Sequence, residues 1–170
     1  MIRHRTSAIL ALLGATACDG RESPDRPRVD PPVAFDTAVV VIRTDTAEIP
    51  LRVEVAETEA QRQYGLMERA SLPPDRGMLF VLDEPADSTM GFYMYRTLIP
   101  LDIAFLDGAG TIRAILEMEP CEHPNPLLCR LYSPGIPYAA ALEVNRGFFD
   151  RQGIRIGDRV RRLEVARDSV

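Results

Sequence analysis

The chain has 170 residues, enough for one domain of ordinary size, and it carries 20 basic and 25 acidic residues. Every basic side chain is Arg, Lys and Trp are absent, and the two histidines are His4 and His123. A Schiff-base lysine, a phosphate-binding P-loop lysine and a site with several histidine ligands are therefore excluded. The net charge of -5 also argues against non-specific nucleic-acid binding, which needs a surplus of basic residues.

The first residues, 1–17, are predicted to form an export signal. A positive start with Arg3 and Arg5 precedes a short apolar stretch and a small-residue segment that ends at Ala17. The apolar stretch is shorter than the roughly 20 residues that a lasting transmembrane helix needs. Two modes of processing stay open, namely ordinary cleavage after Ala17 and lipoprotein-type cleavage that leaves Cys18 as the lipidated first residue.

The cysteine count favours lipidation. The chain has three Cys, and an exported protein rarely leaves one thiol over. If Cys18 is acylated, Cys121 and Cys129 remain as a disulfide pair in an oxidising compartment. A metal corner built from these two cysteines and His123 is the less favoured alternative, and no metal site is predicted. We therefore expect a periplasmic or cell-envelope protein that is attached to the membrane only through a lipid on Cys18.

Residues 18–36 are predicted to be a disordered tether. They are rich in Pro and in charges of both signs, and they offer almost nothing to bury. A spacer of this kind lets an anchored domain stand clear of the membrane surface. A single domain is predicted to follow over residues 37–167.

This domain is predicted to be mainly β, of the α+β class, because short apolar or alternating runs follow one another without βαβ alternation. Thr58 and Gln61 form a capping box that opens the first helix, and Gly65 ends it. The sequence predicts a compact small β-barrel or rolled sheet of about eight short strands with two short helices. In chain order the predicted elements are a hairpin of strands 38–42 and 49–55, a helix over 59–64, strands over 77–82, 89–95, 101–106 and 111–118, a Pro- and Cys-containing loop over 120–137, a strand over 138–145, helical turns over 146–152 and a strand over 159–166.

An ordered set of motifs runs through the whole predicted domain. The motifs are Val53-Glu54-Val55-Ala56, Gln61, Gly65-Leu66-Met67, Arg69, Leu72, Gly77-Met78-Leu79-Phe80, Thr97-Leu98-Ile99-Pro100-Leu101-Asp102, Leu142-Glu143-Val144-Asn145 and Gly157-Asp158-Arg159-Val160. In this order they resemble the bacterial and archaeal family called domain of unknown function 192, from about residue 38 to residue 163. The resemblance implies a small, mainly β, barrel-like fold that is often exported or membrane-anchored, and it implies no activity. Members commonly read Lys-Asn where this chain has Tyr95 and Arg96.

Polar residues inside apolar strands mark the candidate site. Asp102 and Glu143 each interrupt an apolar run, and a charge in such a run must face solvent or find a partner. Arg69 is a candidate partner because its guanidinium can bind a carboxylate with two parallel hydrogen bonds. Two interpretations stay open, a structural brace or a cleft for a polar ligand. The candidate ligand-binding residues are Met67, Arg69, Met94, Thr97, Asp102, Glu143 and Asn145.

The leading functional hypothesis is a non-catalytic binding module for a small polar ligand or an envelope protein partner. It predicts a monomer with no cofactor, no catalytic residue and no nucleic-acid partner. One alternative is a hydrolase or glycan-acting enzyme that uses Asp102 and Glu143 as an acid–base pair. Another is periplasmic copper handling through methionines, because Met90 and Met94 would project from one face of a predicted strand.

Overall fold

The computed structural model of this chain describes residues 33–163. The predicted export signal, the predicted lipidation site Cys18 and most of the predicted tether lie outside the described residues, as do residues 164–170. The signal, the lipid anchor and the spacer therefore stay predictions. No helix within residues 33–163 combines the length and the apolar character that crossing a membrane would require.

The described residues form a mainly β fold with two short helices, as the sequence predicts. Seven strands make one sheet in the order β6-β5-β8-β3-β2-β1-β9, and β4 and β7 make a separate two-stranded ribbon. The strands and helices are β1 (Asp36–Arg43), β2 (Glu48–Ala56), α1 (Glu59–Tyr64), β3 (Arg76–Ala86), β4 (Phe92–Tyr93), β5 (Leu101–Leu106), β6 (Ile112–Met118), β7 (Leu131–Tyr132), β8 (Tyr138–Asn145), α2 (Phe148–Gln152) and β9 (Arg159–Leu163).

Three predicted features that depend on residues close together in sequence are confirmed: a hairpin, a capping box and a turn. Strands β1 and β2 pair antiparallel as the predicted hairpin. The capping box is present, with the Thr58 hydroxyl accepting from the Gln61 backbone amide and the Gln61 side chain accepting from the Thr58 amide. The predicted turn before β6 ends at Gly110, whose φ of 77° is in the left-handed region that favours glycine.

Two features differ from the sequence-based expectation. Strands β2 and β3 pair parallel, with α1 in the connection between them, so the fold contains one βαβ unit that was not predicted. The predicted strand over 89–95 is reduced to Phe92–Tyr93, which pairs with Leu131–Tyr132 inside the predicted loop. Both pairings join segments that are not consecutive strands of a hairpin, and a local pattern does not report such contacts.

The seven-stranded sheet is rolled so that its two edge strands meet at one place. The amide of Ile112 donates to the Asp158 carbonyl over 2.8 Å, and the amide of Val160 donates to the Gly110 carbonyl over 2.8 Å. A Cβ on Gly110 would lie 2.2 Å from the Val160 carbonyl oxygen, so glycine is needed for this approach. The edges share a single bridge, between Thr111 and Arg159, so the sheet is a roll and not a fully hydrogen-bonded barrel.

The sheet separates two apolar cores. The first core takes residues from all seven strands and from α2, and Phe148 and Phe149 close it. The second core lies on the other face of β3, β5 and β8, under the loop after α1 and the β4–β7 ribbon. Because β5 is covered on both faces, all six of its residues are buried. The candidate site lies in the second core.

Candidate functional site

The second core contains a cavity of about 230 Å³. Helix α1, the residues after it, and parts of β3, β4 and β8 form its walls. The volume is slightly below the range of roughly 300–1,000 Å³ that is usual for ligand pockets, so the cavity suits a small molecule. We call it the Glu143 pocket; its lining includes Met67, Phe80, Phe92, Thr97, Tyr138 and Glu143.

Helix α1 is fixed against this pocket by its ends. The side-chain amide of Gln61 donates to the Ala34 carbonyl over 2.8 Å, in addition to its part in the capping box. Gly65 ends the helix with a φ of 51°, and a Cβ there would lie 3.3 Å from Cζ of Phe80. Glycine therefore lets the chain turn and approach an aromatic wall of the pocket.

Glu143 is the buried acidic group of the pocket. Its side chain points to the same face as Met78 and Ile103, its register partners on β3 and β5, and only 5 % of the residue is exposed. Burial raises the pKa of Glu143 to about 8. Among residues 33–163 no hydrogen bond reaches its carboxyl group, and since the fully enclosed side-chain atoms without a partner are Asp102 Oδ1 and Arg146 Nε, the Glu143 oxygens retain contact with the open space of the pocket. A buried carboxyl without a partner is costly to retain, which makes it a candidate for contact with a ligand.

Gly77 sets the distance between the strands at this point. A Cβ on Gly77 would lie 2.6 Å from the Glu143 carbonyl oxygen and 3.1 Å from Cγ1 of Val144. Glycine on β3 therefore lets β8 approach closely where it carries the buried carboxyl group.

Asp102 lies on the opposite face of the sheet from Glu143. Asp102 pairs with Val144 on β8, whereas Glu143 pairs with Ile103, and paired residues in adjacent strands share a face. Burial raises the pKa of Asp102, and the amide of Gly147 partly opposes that rise. The prediction that Asp102 and Glu143 form an acid–base pair is therefore wrong, because the sheet stands between the two carboxyl groups.

Arg69 is hydrogen-bonded to neither of these carboxyl groups. Its Nη1 donates to Oε1 of Glu54 over 3.0 Å, and its Nη2 donates to the other oxygen of the same carboxylate. The predicted pairing of Arg69 with Asp102 or Glu143 is wrong, and the predicted two-bond geometry is realised with Glu54. Arg69 therefore braces the loop after α1 against β2.

The other candidate residues divide between the pocket and the framework. Met67 and Thr97 line the Glu143 pocket. Met94 is packed in the second core with 2 % of its surface exposed. The Asn145 amide donates to the carbonyls of Leu72 and Pro73 over 2.9 and 3.1 Å and holds the loop before β3. Of the seven predicted residues, the structure thus brings together Met67, Thr97 and Glu143.

Met90 and Met94 do not converge as the predicted copper site would require. Met90 is 56 % exposed, whereas Met94 is buried, and the two residues line different cavities. The predicted strand that would have aligned them is only two residues long and lies between them. Within the part of the chain that the structure describes, no group of three or more His, Cys, Asp or Glu side chains is arranged to hold a metal ion.

An aromatic cluster at the pocket was not predicted. The ring of Phe92 lies 4.9 Å from Phe80, 5.8 Å from Phe105 and 6.3 Å from Tyr138. Phe80, Phe92 and Tyr138 all line the pocket. The sequence places these residues in different strands, and only the ribbon β4–β7 carries Phe92 over the sheet. Tyr93 also lines the pocket.

Cys121 and Cys129 form the disulfide that the sequence predicts, with a Cα–Cα distance of 5.7 Å. The bond closes a loop containing a 3-10 turn at Pro126–Leu128. Cys121 also donates its amide to the Met94 carbonyl over 3.1 Å, so one end of the loop is attached to the second core. The backbone amide of Asn125 donates to Nδ1 of His123 over 3.0 Å, which gives that histidine a local structural role.

We expect the Cys121→Ser plus Cys129→Ser variant to lose about 2–3 kcal/mol of unfolding free energy, because the disulfide closes a loop with a sequence separation of 8. Urea denaturation under oxidising conditions measures this loss. The reference is the unchanged chain with and without reductant. A reductant effect in the double-serine variant equal to that in the unchanged chain would contradict the assignment of the stabilisation to this bond.

Arg96 adopts a backbone conformation that arginine rarely takes. Its φ is 54°, and its carbonyl accepts from the Glu68 amide over 2.8 Å, while the two side chains form an ion pair. Asn tolerates this left-handed region far better than most residues. The structure therefore supplies a backbone reason for the Asn that the family resemblance implies at this place, independent of any polar contact.

Arg96→Asn is accordingly expected to leave stability unchanged or to raise it, because relief of backbone strain offsets the loss of an exposed ion pair. Arg96→Val, which loses the same ion pair and adds a β-branched side chain, should cost about 1–2 kcal/mol. Thermal and urea unfolding of the two variants compare them directly. Equal losses in both would show that the ion pair with Glu68, and not the backbone, dominates at this position.

Comparisons with known proteins give one family and several similar structures. The model of the family DUF192, described as "Uncharacterized ACR", matches residues 40–162. A structure from Sinorhizobium meliloti 1021, which its description proposes as a transcription regulator, is 33 % identical with a TM-score of 0.67 and covers 76 % of this chain and 96 % of its own. A protein of unknown function from Novosphingobium aromaticivorans DSM 12444 is 31 % identical with a TM-score of 0.65 and covers 81 % of this chain and 94 % of its own. A comparison with curated proteins gives no match.

Proposed function

Because this chain belongs to the DUF192 family, whose description names no activity, we propose its function from the site itself. In this proposal the protein is a non-catalytic binding module that holds a small ligand in the Glu143 pocket. The observation that carries the proposal is a buried carboxyl group without a described protein partner, in a largely apolar cavity of about 230 Å³. A polar group of a ligand would satisfy the carboxyl group that the protein leaves unpaired.

The predicted partner for acid–base catalysis, Asp102, faces the first core, and Glu54, which shares a face with Glu143, is bound to Arg69. The pocket's remaining acidic side chain, Glu59, is exposed at the start of α1. A binding role needs only the one buried group, whereas glycoside hydrolysis by the usual route needs two. The acidic balance of the chain also favours a small ligand over nucleic acid, so the role proposed for the relative from S. meliloti is not extended to this chain.

The predicted location is part of the proposal. An exported chain anchored through Cys18, with residues 18–36 as a spacer, would present the pocket to small molecules of the cell envelope. A lipid on Cys18 is tested by mass spectrometry of the mature chain. Cleavage without lipidation would retain export and remove the anchor from the proposal.

A thermal-shift screen of small metabolites and glycan fragments tests the binding role. We expect some compounds to raise the melting temperature of the unchanged chain, and Met67→Trp to abolish the rise because the larger side chain fills the pocket. Leu127→Trp is the matched control, since Leu127 is 88 % exposed and lies on the disulfide loop. Stabilisation that persists in Met67→Trp, or a screen in which no compound stabilises the chain, would contradict the proposal.

A protein partner is the second candidate, and one observation favours it. Leu127, Leu128 and Leu131 are 88 %, 65 % and 53 % exposed, and they lie together in the segment around the disulfide. Exposed apolar groups of this kind occur at interaction surfaces. The variant Leu127→Ser plus Leu128→Ser separates the two candidates, because it alters this surface and leaves the residues of the Glu143 pocket unchanged.

A further inference from the structure

The Glu143 pocket combines aromatic walls with a buried carboxyl group. Phe80, Phe92, Tyr93 and Tyr138 are among its lining residues, and the rings of Phe80 and Tyr138 lie 4.9 and 6.3 Å from that of Phe92. The faces of aromatic rings carry partial negative charge and attract cations, most strongly where water is excluded. A carboxylate among such rings adds a full negative charge to the same cavity.

The charged groups of the described lining offer no cation to the ionised form of Glu143. Arg62 is the one basic residue of the described lining, and its guanidinium donates to the Glu57 and Val81 carbonyls and to Oδ2 of Asp83. The acidic group at the rim, Glu59, adds negative charge. Arg62 is therefore committed to the connection between α1 and β3, and it is not available as the counter-ion of Glu143.

The strands directly beside Glu143 contribute no charge at its level, and one strand further Glu54 on β2 lies on the same face in its ion pair with Arg69. Its register partners, Met78 on β3 and Ile103 on β5, are apolar. On its own strand the neighbours on the same face are Ala141 and Asn145, and the Asn145 amide is bound to two backbone carbonyls. The remaining titratable groups of the lining are the phenols of Tyr64, Tyr93 and Tyr138.

We propose that the ligand of the Glu143 pocket is a small organic ammonium ion, held by the aromatic rings and paired with the ionised Glu143 carboxylate. This inference rests on the proposed binding role and names its ligand class. A cation entering the pocket supplies the one element that the described site lacks, a positive charge next to the carboxylate. The buried pair is then matched in charge, and the rings cover the alkyl groups of the ligand.

Charge pairing makes binding depend on pH in a defined direction. In the empty pocket the Glu143 carboxyl is protonated below a pKa of about 8. A cation pairs with the ionised form, so its binding releases a proton and becomes tighter as pH rises toward 8, by up to about tenfold per pH unit. A neutral ligand that accepts a hydrogen bond from the protonated carboxyl would instead bind more weakly as pH rises.

Choline and 3,3-dimethylbutan-1-ol are suitable probes because they have the same shape and differ in charge. Choline has no N–H group and does not titrate, so its pH dependence reports on the protein. Calorimetric titration of the full chain between pH 6 and pH 8 should show choline binding more tightly than the alcohol, and more tightly at pH 8 than at pH 6. Glu143→Gln should reduce the affinity for choline at pH 8 at least tenfold. Asp102→Asn, a buried carboxyl on the other face of the sheet, should retain it.

The outcomes separate the ligand class from the binding role. If the alcohol binds as tightly as choline, or if choline binds equally at pH 6 and pH 8, the ammonium inference fails while the binding role stands. If choline and the wider set of small amines fail to bind while neutral compounds stabilise the unchanged chain but not Met67→Trp, the same conclusion follows. If neither charged nor neutral compounds bind, both the inference and the binding role fail.

Discussion

Glu143→Gln is expected to stabilise the ligand-free protein at neutral and alkaline pH. The pKa of Glu143 is about 8 in the folded protein and ordinarily 4.5 when the side chain is exposed, so the folded state binds more protons between these values. The unfolding free energy of the unchanged chain therefore falls as pH rises from about 4.5 to about 8. The buried amide of Gln does not ionise, so the variant should be more stable by several kcal/mol at pH 8 and similar to the unchanged chain near pH 4.5.

Urea denaturation at pH 5, 6.5 and 8 measures this effect, with two controls. Burial also raises the pKa of Asp102, so Asp102→Asn should remove only its own smaller share of the decline. Glu84→Gln changes an exposed carboxylate on β3 and should reproduce the pH profile of the unchanged chain. Hydrogen bonds lower the pKa values of Asp107 and Glu48, so protonation of these two groups affects stability at pH values below this interval. A decline that survives unchanged in Glu143→Gln would show that Glu143 is ionised in the folded state at neutral pH.

Phe105→Ala is expected to cost about 3–5 kcal/mol, which is a large part of the stability of a small domain. Phe105 is completely buried in β5, and its ring lies 4.9 Å from Tyr138 and 5.8 Å from Phe92. Truncation leaves a cavity behind two residues that line the Glu143 pocket. The variant should therefore lose stability and also lose most of the stabilisation that a pocket ligand provides.

Equilibrium unfolding in urea and thermal shifts with a bound ligand check the two parts of this expectation. Leu127→Ala is the reference, because an 88 % exposed leucine should cost almost nothing when shortened. A loss below about 1.5 kcal/mol in Phe105→Ala would mean that the second core collapses around the missing ring. Ligand binding that remains unchanged in Phe105→Ala would mean that the aromatic cluster does not shape the pocket.

The sequence predicts those parts of the fold that local chemistry determines. The capping box at Thr58, the turn before β6 and the hairpin of β1 and β2 all depend on residues close in the chain. The prediction of the disulfide between Cys121 and Cys129 rests on the number of cysteines and on the oxidising compartment expected for an exported chain. In each case the signal and the structure that it produces lie within the same short segment.

The arrangement of the candidate site depends on pairing between distant strands. Asp102 and Glu143 look alike in sequence, as single acids in apolar runs, and only the register of β5 against β8 places them on opposite faces. Arg69 has several acidic residues within reach of a flexible side chain, and only the parallel pairing of β2 with β3 brings the loop before β3 next to Glu54. The sequence indicates that burying Glu143 would cost free energy. It does not indicate the aromatic residues around Glu143, because Phe92 reaches the pocket only through the β4–β7 ribbon.

The pairing of β1 with β9 has a consequence for how the chain folds. Val39 pairs with Leu163 and Arg43 pairs with Arg159, so the first described strand needs the last one as its neighbour. Loop-closure entropy must be overcome before such distant contacts contribute, which slows folding. During synthesis the roll therefore stays open, with one edge of β1 unpaired, until almost the whole domain has been made. If the chain is exported as proposed, this order of assembly gives it time to cross the membrane unfolded.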